Sequence, residues 1–253
     1  LDEAGVISQT DAERLAALGM PPSRIQALGN AKYDGLAARV FPELELEIAG
    51  RLGIEPGEGV LVAGSTHEGE ESVILEVYRR LLEHRPDFKL ILIPRHIERG
   101  EAVAELVHRA GFSDAIRMSE IRAGRSRRGE RVVVVDVIGE LFKVYSLATV
   151  VFCGGSLVPK GGQNILEAAA WGKVVFHGPH MEDFRDERVL LEEAGAGITV
   201  RDGDELFTGI RALLDDPDLL RTKGESGRRA VAANRGAAER YADLIADAVL
   251  PMR

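Results

Sequence analysis

The sequence predicts an α/β fold in which helices cover both faces of a parallel sheet. Short β-rich runs alternate with longer helical stretches from residue 58 onward. The runs show almost no polar alternation, as expected of strands that are covered on both faces. Hydrophobic residues make up 45% of the 253 residues, which is enough for a sizeable core. The expected architecture is therefore a Rossmann-like sheet, and each connection between its strands is expected to be a right-handed crossover.

The elements follow one another in a regular order. The predicted strands are 59–64, 88–94, 131–137, 148–154 and 173–178. The predicted helices are 70–84, 98–110, 139–147, 164–171, 183–194, 203–215 and 217–249. Residues 1–50 hold a short VIS run, a helix near Thr10 and a turn at GNAKYDG, which is too little for a domain. The predicted division is a domain tail with a linker at 1–50 and one complete domain at 51–253.

Charge and composition exclude several classes of function. The formal net charge of -9 argues against a general nucleic-acid binder, because broad phosphate binding needs a basic excess. No apolar run approaches the roughly 20 residues that span a bilayer. His177 and His180 have a spacing that suggests a metal site, but no third ligand lies nearby in the sequence. No metal is therefore expected.

Ligands of open α/β sheets bind beyond the carboxyl ends of the strands, so the loops that leave the strands are the first candidates. Ser65 and Thr66 follow the first strand and either cap the next helix or face a ligand. Arg95 and His96 follow the second strand and either hold a phosphate or are simply solvated. Glu140 follows the third strand and either accepts hydrogen bonds from a ligand or complements a helix dipole.

The fourth loop is the glycine-rich stretch GGSLVPKGGQNILEAAAWGK at 154–173. Its glycines either let the backbone turn or expose backbone amides that hold a phosphate. Asn164 and Glu167 have the spacing of a capping box, with Asn164 as N-cap and Glu167 as the third helical residue. The alternative is that Glu167 accepts hydrogen bonds from the hydroxyls of a ribose.

Taken together, five segments in this order resemble the second half of the bacterial 3-deoxy-D-manno-oct-2-ulosonic acid (Kdo) transferases. The resemblance covers residues from about 6 to 241. The segments are GNAKYD, GSTHEGEE, PRHIER, IGEL and GGSLVPKGGQNILEAAAWGK. Because five ordered segments match, the resemblance is far more specific than a single glycine-rich loop.

The resemblance implies the C-terminal domain of a GT-B glycosyltransferase, with residues 1–50 as the tail of the acceptor domain and 51–253 as the CMP-sugar domain. It implies an inverting transfer of Kdo from CMP-Kdo to a lipid A precursor in lipopolysaccharide biosynthesis, without a metal or other cofactor. It also implies a cytoplasmic protein that is peripheral at the cytoplasmic face of the inner membrane, with the membrane contact made mainly by the other half.

The resemblance also assigns roles to residues. Lys32 matches a lysine that stabilises charge in the transition state. The general base of the family is a glutamate of the first domain, and no position of this chain matches its motif, so the chain alone is expected to be inactive. The residues implied at the CMP donor are Ser65, Thr66, Pro94, Arg95, His96, Ile138, Gly139, Glu140, Gly155, Ser156, Asn164, Ile165, Leu166 and Glu167.

The chain also departs from the family pattern. Gln163 stands where the family usually has a histidine, and glutamine forms hydrogen bonds but does not carry a proton. This difference bears on donor specificity more than on general activity. Two alternatives stay open, namely another GT-B nucleotide-sugar enzyme and a non-catalytic nucleotide-binding module.

Overall fold

The computed structural model describes residues 2–113, 115–125 and 129–249. Its internal contacts divide the chain into two compact units. The small unit consists of Leu1–Val40 and Arg229–Arg253, and the main unit is Phe41–Arg228. The sequence-based division between residues 50 and 51 instead falls inside a helix, Pro42–Leu52. The roles of the two parts as acceptor tail and donor domain stay a prediction.

The small unit contains a parallel pair of strands, β1 (Ala4–Val6) and β2 (Ile25–Ala27). Its helices are α1 (Gln9–Ala17), α2 (Lys32–Ala37) and α12 (Ala237–Val249). The carboxylate of Asp34 accepts hydrogen bonds from the backbone N–H groups of Gly236 and Ala238 at the start of α12. These bonds, with that of Ala238 the strongest, hold the pKa of Asp34 below its ordinary value. Asp34 therefore links the GNAKYD segment to the C-terminal helix.

The main unit is built on a seven-stranded sheet in which every pairing is parallel, as the sequence predicts. The spatial order of the strands is β5-β6-β4-β3-β7-β8-β9. The strands are β3 (Val60–Thr66), β4 (Lys89–Pro94), β5 (Ala115–Arg117), β6 (Val132–Val134), β7 (Val150–Cys153), β8 (Val174–His177) and β9 (Gly197–Thr199). The strands β5 and β9, which have only three residues each, are not predicted from the sequence.

Helices pack against both faces of this sheet. They are α3 (Pro42–Leu52), α4 (Glu70–His84), α5 (Gly100–Arg109), α6 (Met118–Arg122), α7 (Leu141–Tyr145), α8 (Leu166–Ala170), α9 (Arg185–Glu193), α10 (Gly203–Asp215) and α11 (Pro217–Ala233). On one face, Leu61 and Ala63 of β3 join a buried cluster with side chains of α4, α5 and α10. On the other face, Tyr145 of α7 packs its hydroxyl against Gly64, where a β-carbon would lie only 2.2 Å away.

Several helices are shorter than predicted. Turns of 3₁₀ helix at Ile97–Arg99 and Glu182–Phe184 precede α5 and α9, so these helices begin at Gly100 and Arg185. The predicted helix at 217–249 is two helices. The helical conformation is interrupted before α12, where Gly236 has a φ of 85°. Glycine adopts this left-handed backbone without the steric cost of a β-carbon.

Candidate functional site

The candidate site lies at the carboxyl edge of the sheet, where the strand order reverses. The chain runs from β3 to β4 on one side and later returns to β7 on the other side of β3. Such a switch point leaves a crevice outside the carboxyl ends of the two strands, and ligands of open α/β sheets bind there. Most of the predicted donor residues follow β3, β4 and β7, and the structure brings these three loops together.

Ser65 and Thr66 end β3 instead of capping α4. That helix begins behind Gly69, and no side chain caps it. The side chains of both residues are buried, and the Thr66 hydroxyl donates a hydrogen bond to Oε1 of Glu71 at 3.0 Å. Ser65 has a φ of 55°, next to a register shift between β3 and β4. A serine held in this sparsely populated conformation costs on the order of 1 kcal/mol, and such strain concentrates at functional sites.

Glu70 fixes the glycine-rich loop, a role that the sequence does not predict. Its carboxylate is buried and accepts hydrogen bonds from four backbone N–H groups. Oε2 accepts from His67 at 2.9 Å and from Gly155 at 2.7 Å. Oε1 accepts from Ser156 and from Leu157, each at 3.0 Å. The loop amides that the sequence suggests for phosphate binding thus donate their hydrogen bonds to a carboxylate of the protein itself.

Glu71 fixes the loop on the other side of β3. Its buried carboxylate accepts a bidentate pair of hydrogen bonds from the Arg99 guanidinium, at 2.6 Å to Oε1 and 3.2 Å to Oε2. Hydrogen bonding to Glu71 raises the pKa of Arg99 above its ordinary value. Arg99 stands at the end of the turn that follows β4. Two consecutive glutamates at the start of α4 therefore fasten the loops after β7 and β4.

Pro94 is the last residue of β4, and Arg95 and His96 follow it directly. Pro94 is buried, whereas the side chains of Arg95 and His96 are exposed. The Arg95 N–H donates to the Thr66 carbonyl at 2.9 Å, which places its side chain beside the end of β3. Among the described residues, its guanidinium has no hydrogen bond or ion pair. An exposed, unengaged arginine at a switch point has the chemistry to hold a phosphate or carboxylate.

His67 lies between the loops after β3 and β4. Its ring meets the ring of His96 edge-on, with centroids 5.7 Å apart, and it covers Gly155, where a β-carbon would lie 3.3 Å from the ring. Burial lowers the pKa of His67 below its ordinary value, and the nearby charge of Glu70 opposes that shift.

Gly155 and Ser156 shape the backbone after β7. Gly155 has a φ of 69°, and its carbonyl accepts from the Gly162 N–H at 2.9 Å. Ser156 is fully buried, and its hydroxyl donates to the Cys153 carbonyl and accepts from the Gly178 N–H at 2.8 Å. The side chain of Ser156 therefore maintains the shape of the loop.

The helix after this loop does not begin with the predicted capping box. Asn164 accepts a hydrogen bond from the Leu166 N–H, two residues on, at 3.1 Å. The capping position is Ile165, and Glu167 is the second helical residue instead of the third. Ile165 and Leu166 are buried, whereas Asn164 and Glu167 are half-buried. Of these four residues, only the two polar ones are partly accessible to solvent.

Ile138, Gly139 and Glu140 follow β6, where they join α3, α6 and α7. Ile138 is 78% exposed, and Gly139 has a φ of 89°. Glu140 is buried and forms ion pairs with Arg122 and, at 3.0 Å, with Arg51. Its Oε2 has no hydrogen-bond partner within the described part of the chain, although the Lys143 ammonium lies 3.9 Å away. This oxygen is itself buried, so Glu140 acts mainly through its ion pairs with Arg51 and Arg122.

Lys32, the predicted transition-state residue, belongs to the small unit. It is the first residue of α2, and its side chain is exposed. Its backbone N–H donates to the Asn30 carboxamide at 3.0 Å.

Other features of the main unit lie outside these loops. A cavity of about 680 Å³ opens at the opposite, amino edge of the sheet, beside Gly59, Phe88 and Thr149. Across the ranges that the structure covers, no group of three or more His, Cys, Asp or Glu side chains is arranged to hold a metal ion. In the same ranges, no helix has the length and apolarity needed to cross a membrane.

Comparison with curated proteins finds similarity to 3-deoxy-D-manno-octulosonic acid transferases. No protein-family model matches the chain. The 3-deoxy-D-manno-octulosonic acid transferase of Haemophilus influenzae is 33% identical over 235 residues, which are 92% of this chain and 54% of that protein. The chain spans about half the length of the curated relatives it matches.

Solved structures extend the comparison to the fold. The C-terminal CMP-Kdo binding domain of WaaA from Acinetobacter baumannii is 27% identical, with a TM-score of 0.67 over 75% of this chain and 96% of that domain. WaaG, a glycosyltransferase of lipopolysaccharide biosynthesis, has a TM-score of 0.58 over 97% of this chain and 63% of its own, at 16% identity, and shares the fold alone. The predicted fold class and the resemblance to Kdo transferases are both confirmed.

Proposed function

We propose, from the confirmed similarity to Kdo transferases, that this chain is the donor-binding part of such an enzyme and binds the CMP portion of CMP-Kdo at the carboxyl edge of its sheet. The observation that carries the proposal is the convergence of the loops after β3, β4 and β7 at the switch point. The similarity supplies the ligand class, because the A. baumannii domain is described as CMP-Kdo binding.

The residues divide by exposure into those that contact the ligand and those that hold the loops. Arg95 and His96 are exposed and bind the phosphate, whose negative charge grows as CMP leaves. Asn164 and Glu167 bind the ribose, and Ile138 with Gly139 borders the base. Ser65, Thr66, Pro94, Gly155, Ser156, Ile165 and Leu166 are buried and shape this surface.

The proposed reaction of the whole enzyme is an inverting transfer. A sugar hydroxyl of the lipid A precursor attacks the anomeric carbon of Kdo, and the bond from that carbon to the CMP phosphate breaks. Arg95 stabilises the negative charge that develops on the CMP phosphate, so the step needs no metal. The resemblance to the family gives Lys32 its proposed role in stabilising transition-state charge. The general base is a glutamate whose motif has no match among these 253 residues, so this chain alone binds nucleotide without turnover.

The acceptor of the proposed reaction is a lipid, which implies work at a membrane surface. We therefore place the whole enzyme at the cytoplasmic face of the inner membrane, with its contact there made mainly by the other half. The donor site described here has exposed arginine and histidine side chains, which suit an anionic nucleotide sugar.

Titration calorimetry with CMP, UMP and GMP tests the proposal. The wild-type chain is expected to bind CMP with a Kd between micromolar and millimolar, to bind UMP more weakly, and to ignore GMP. A preference for UMP would instead favour another GT-B nucleotide-sugar enzyme. No binding of CMP, or equal binding of CMP and GMP, would overturn the proposal.

A further inference from the structure

We propose that Glu70 is a positioning residue for the donor, because its carboxylate holds the glycine-rich loop after β7 in the shape that receives the nucleotide. The inference rests on the proposed function. Glu70 does not touch the ligand in this scheme, and it acts through the backbone of Gly155, Ser156 and Leu157.

The geometry is that of an anion site filled from within the protein. Three consecutive N–H groups of the loop converge on one carboxylate at 2.7 to 3.0 Å, and the His67 N–H completes the set at 2.9 Å. Converging backbone N–H groups of this kind form a nest that binds anions. Because Glu70 already occupies the nest, the phosphate of the donor must bind elsewhere, at the side chains that follow β4.

The negative charge of Glu70 matters because the side chain is buried. Only 1% of Glu70 is exposed, and burial of an ionised carboxylate is costly unless hydrogen bonds compensate it. All four of the hydrogen bonds described here come from N–H donors, two to each oxygen. A glutamine would turn its own N–H₂ toward two of these donors, so a side chain of the same shape is a poor substitute.

The loop transmits its position to the residues proposed to contact the ligand. The Gly155 carbonyl accepts from the Gly162 N–H, two residues before Asn164. On the other side, the loop lies against the end of β3, because a β-carbon on Gly154 would approach Thr66 to 2.5 Å. A loop released from Glu70 therefore shifts the segment that leads to Asn164 and Glu167.

The first experiment removes the Glu70 carboxylate by substitution and then supplies a carboxylate in solution as formate. The variants are Glu70→Ala and Glu70→Gln in the 253-residue chain, and the matched control is Glu76→Ala. Glu76 belongs to the same helix, but its side chain is 57% exposed and pairs only with Arg79 among the described contacts. Thermal melting verifies that each variant is folded. CMP affinity is then measured by calorimetry, with and without formate, and with chloride at equal ionic strength.

The expected result is a CMP affinity weakened about tenfold to a hundredfold in both Glu70 variants, since small misplacements of binding groups have effects of this size. Glu76→Ala should bind CMP like the wild type. Formate, but not chloride, should restore binding to Glu70→Ala, because a small carboxylate refills the nest. A purely structural contribution to folding would not respond to formate in this way.

A measurement on the wild-type chain remains decisive even if both variants fail to fold. In ¹⁵N–¹H spectra, the Gly155, Ser156 and Leu157 amide signals should exchange slowly with solvent and should shift when CMP is added. If these amide chemical shifts do not change under saturating CMP, or if folded Glu70 variants bind CMP with unchanged affinity, this inference is overturned and the proposed function stays intact. A wild-type chain that does not bind CMP would overturn both.

Discussion

The two edges of the seven-stranded sheet differ in a way that cavity size does not reveal. The amino edge has a cavity of about 680 Å³, lined by the residues that lead into β3, β4 and β7. The carboxyl edge of the same strands has the strained Ser65, the exposed Arg95 and the buried pair Glu70 and Glu71. Convergent polar chemistry at a topological switch point, more than open volume, therefore locates the candidate site.

The reason for this difference lies in the geometry of a parallel sheet. The strand order reverses between the neighbours β3 and β7, and loops on both sides of this reversal meet at the carboxyl edge. At the amino edge, Arg85 is engaged by the Leu214 carbonyl and by Asp215. Arg95 at the carboxyl edge has no such partner among the described residues. The two arginines thus offer a matched comparison.

The largest effect on nucleotide binding is expected from Arg95→Ala. Loss of a charge-assisted hydrogen bond to phosphate costs about 1.5 to 3 kcal/mol, which corresponds to a CMP affinity roughly tenfold to a hundredfold weaker. Arg85→Ala, at the amino edge, should leave the CMP affinity unchanged. Calorimetry on both variants measures the difference, and equal effects would remove the distinction between the edges.

Glu71→Ala is expected to reduce stability more than any other change at the carboxyl edge except those at Glu70. It leaves Arg99 without its two-pronged partner and the Thr66 hydroxyl without its acceptor. Because Arg99 is only partly buried, the loss of these hydrogen bonds should lower the free energy of unfolding in urea by about 1 to 3 kcal/mol. The exposed Glu76→Ala control should change it by less than about 0.5 kcal/mol. If the two variants are equally stable, Glu71 does not fasten the loop.

The smallest effect is a pH dependence of stability that comes from His177, at the carboxyl end of β8. The residue is fully buried, its Nδ1 donates to the Gly178 carbonyl at 2.9 Å, and Oε1 of Glu192 lies 3.9 Å from Nε2. Burial lowers the pKa of His177, aided by the charge of Arg188 and opposed by Gly178 and Glu192. In the unfolded chain the pKa returns to about 6.5.

Because the unfolded chain then binds the proton more readily, this contribution to stability is complete above about pH 6.5 and is lost as the pH falls below it. The slope cannot exceed about 1.4 kcal/mol per pH unit for one proton. The free energy of unfolding is measured in urea between pH 7.5 and 5. Its slope against pH should be shallower for His177→Gln than for wild type, whereas His108→Gln, at an exposed histidine, should match wild type. A His177→Gln slope equal to that of wild type would contradict the assignment.

The sequence predicts the fold well wherever a strand is a run of four or more apolar residues. It fails at β5 and β9, whose three residues include Arg117 and Thr199 and show no pattern of their own. These strands are specified by pairing with β6 and β8, which is information from distant parts of the chain.

In the candidate site as well, some residues are predicted from the sequence and others are not. The rule for parallel sheets predicts from the sequence that Arg95 and the glycine-rich loop lie at this edge, and the structure places them there. The sequence does not predict the roles of Glu70 and Glu71, because acidic residues in the first turn of a helix are already explained by the helix dipole. Glu70 acquires its function from amides 85 to 87 residues away, which no local pattern contains.

The central claim, that CMP binds at the carboxyl edge of the sheet, is tested most directly by hydrogen–deuterium exchange of the wild-type chain with and without CMP. We expect CMP to slow exchange in segments 94–99, 138–141 and 155–167, and to leave 56–59 and 84–88, which line the amino-edge cavity, unchanged. Protection of the amino-edge segments, with the carboxyl-edge segments unaffected, would contradict the claim.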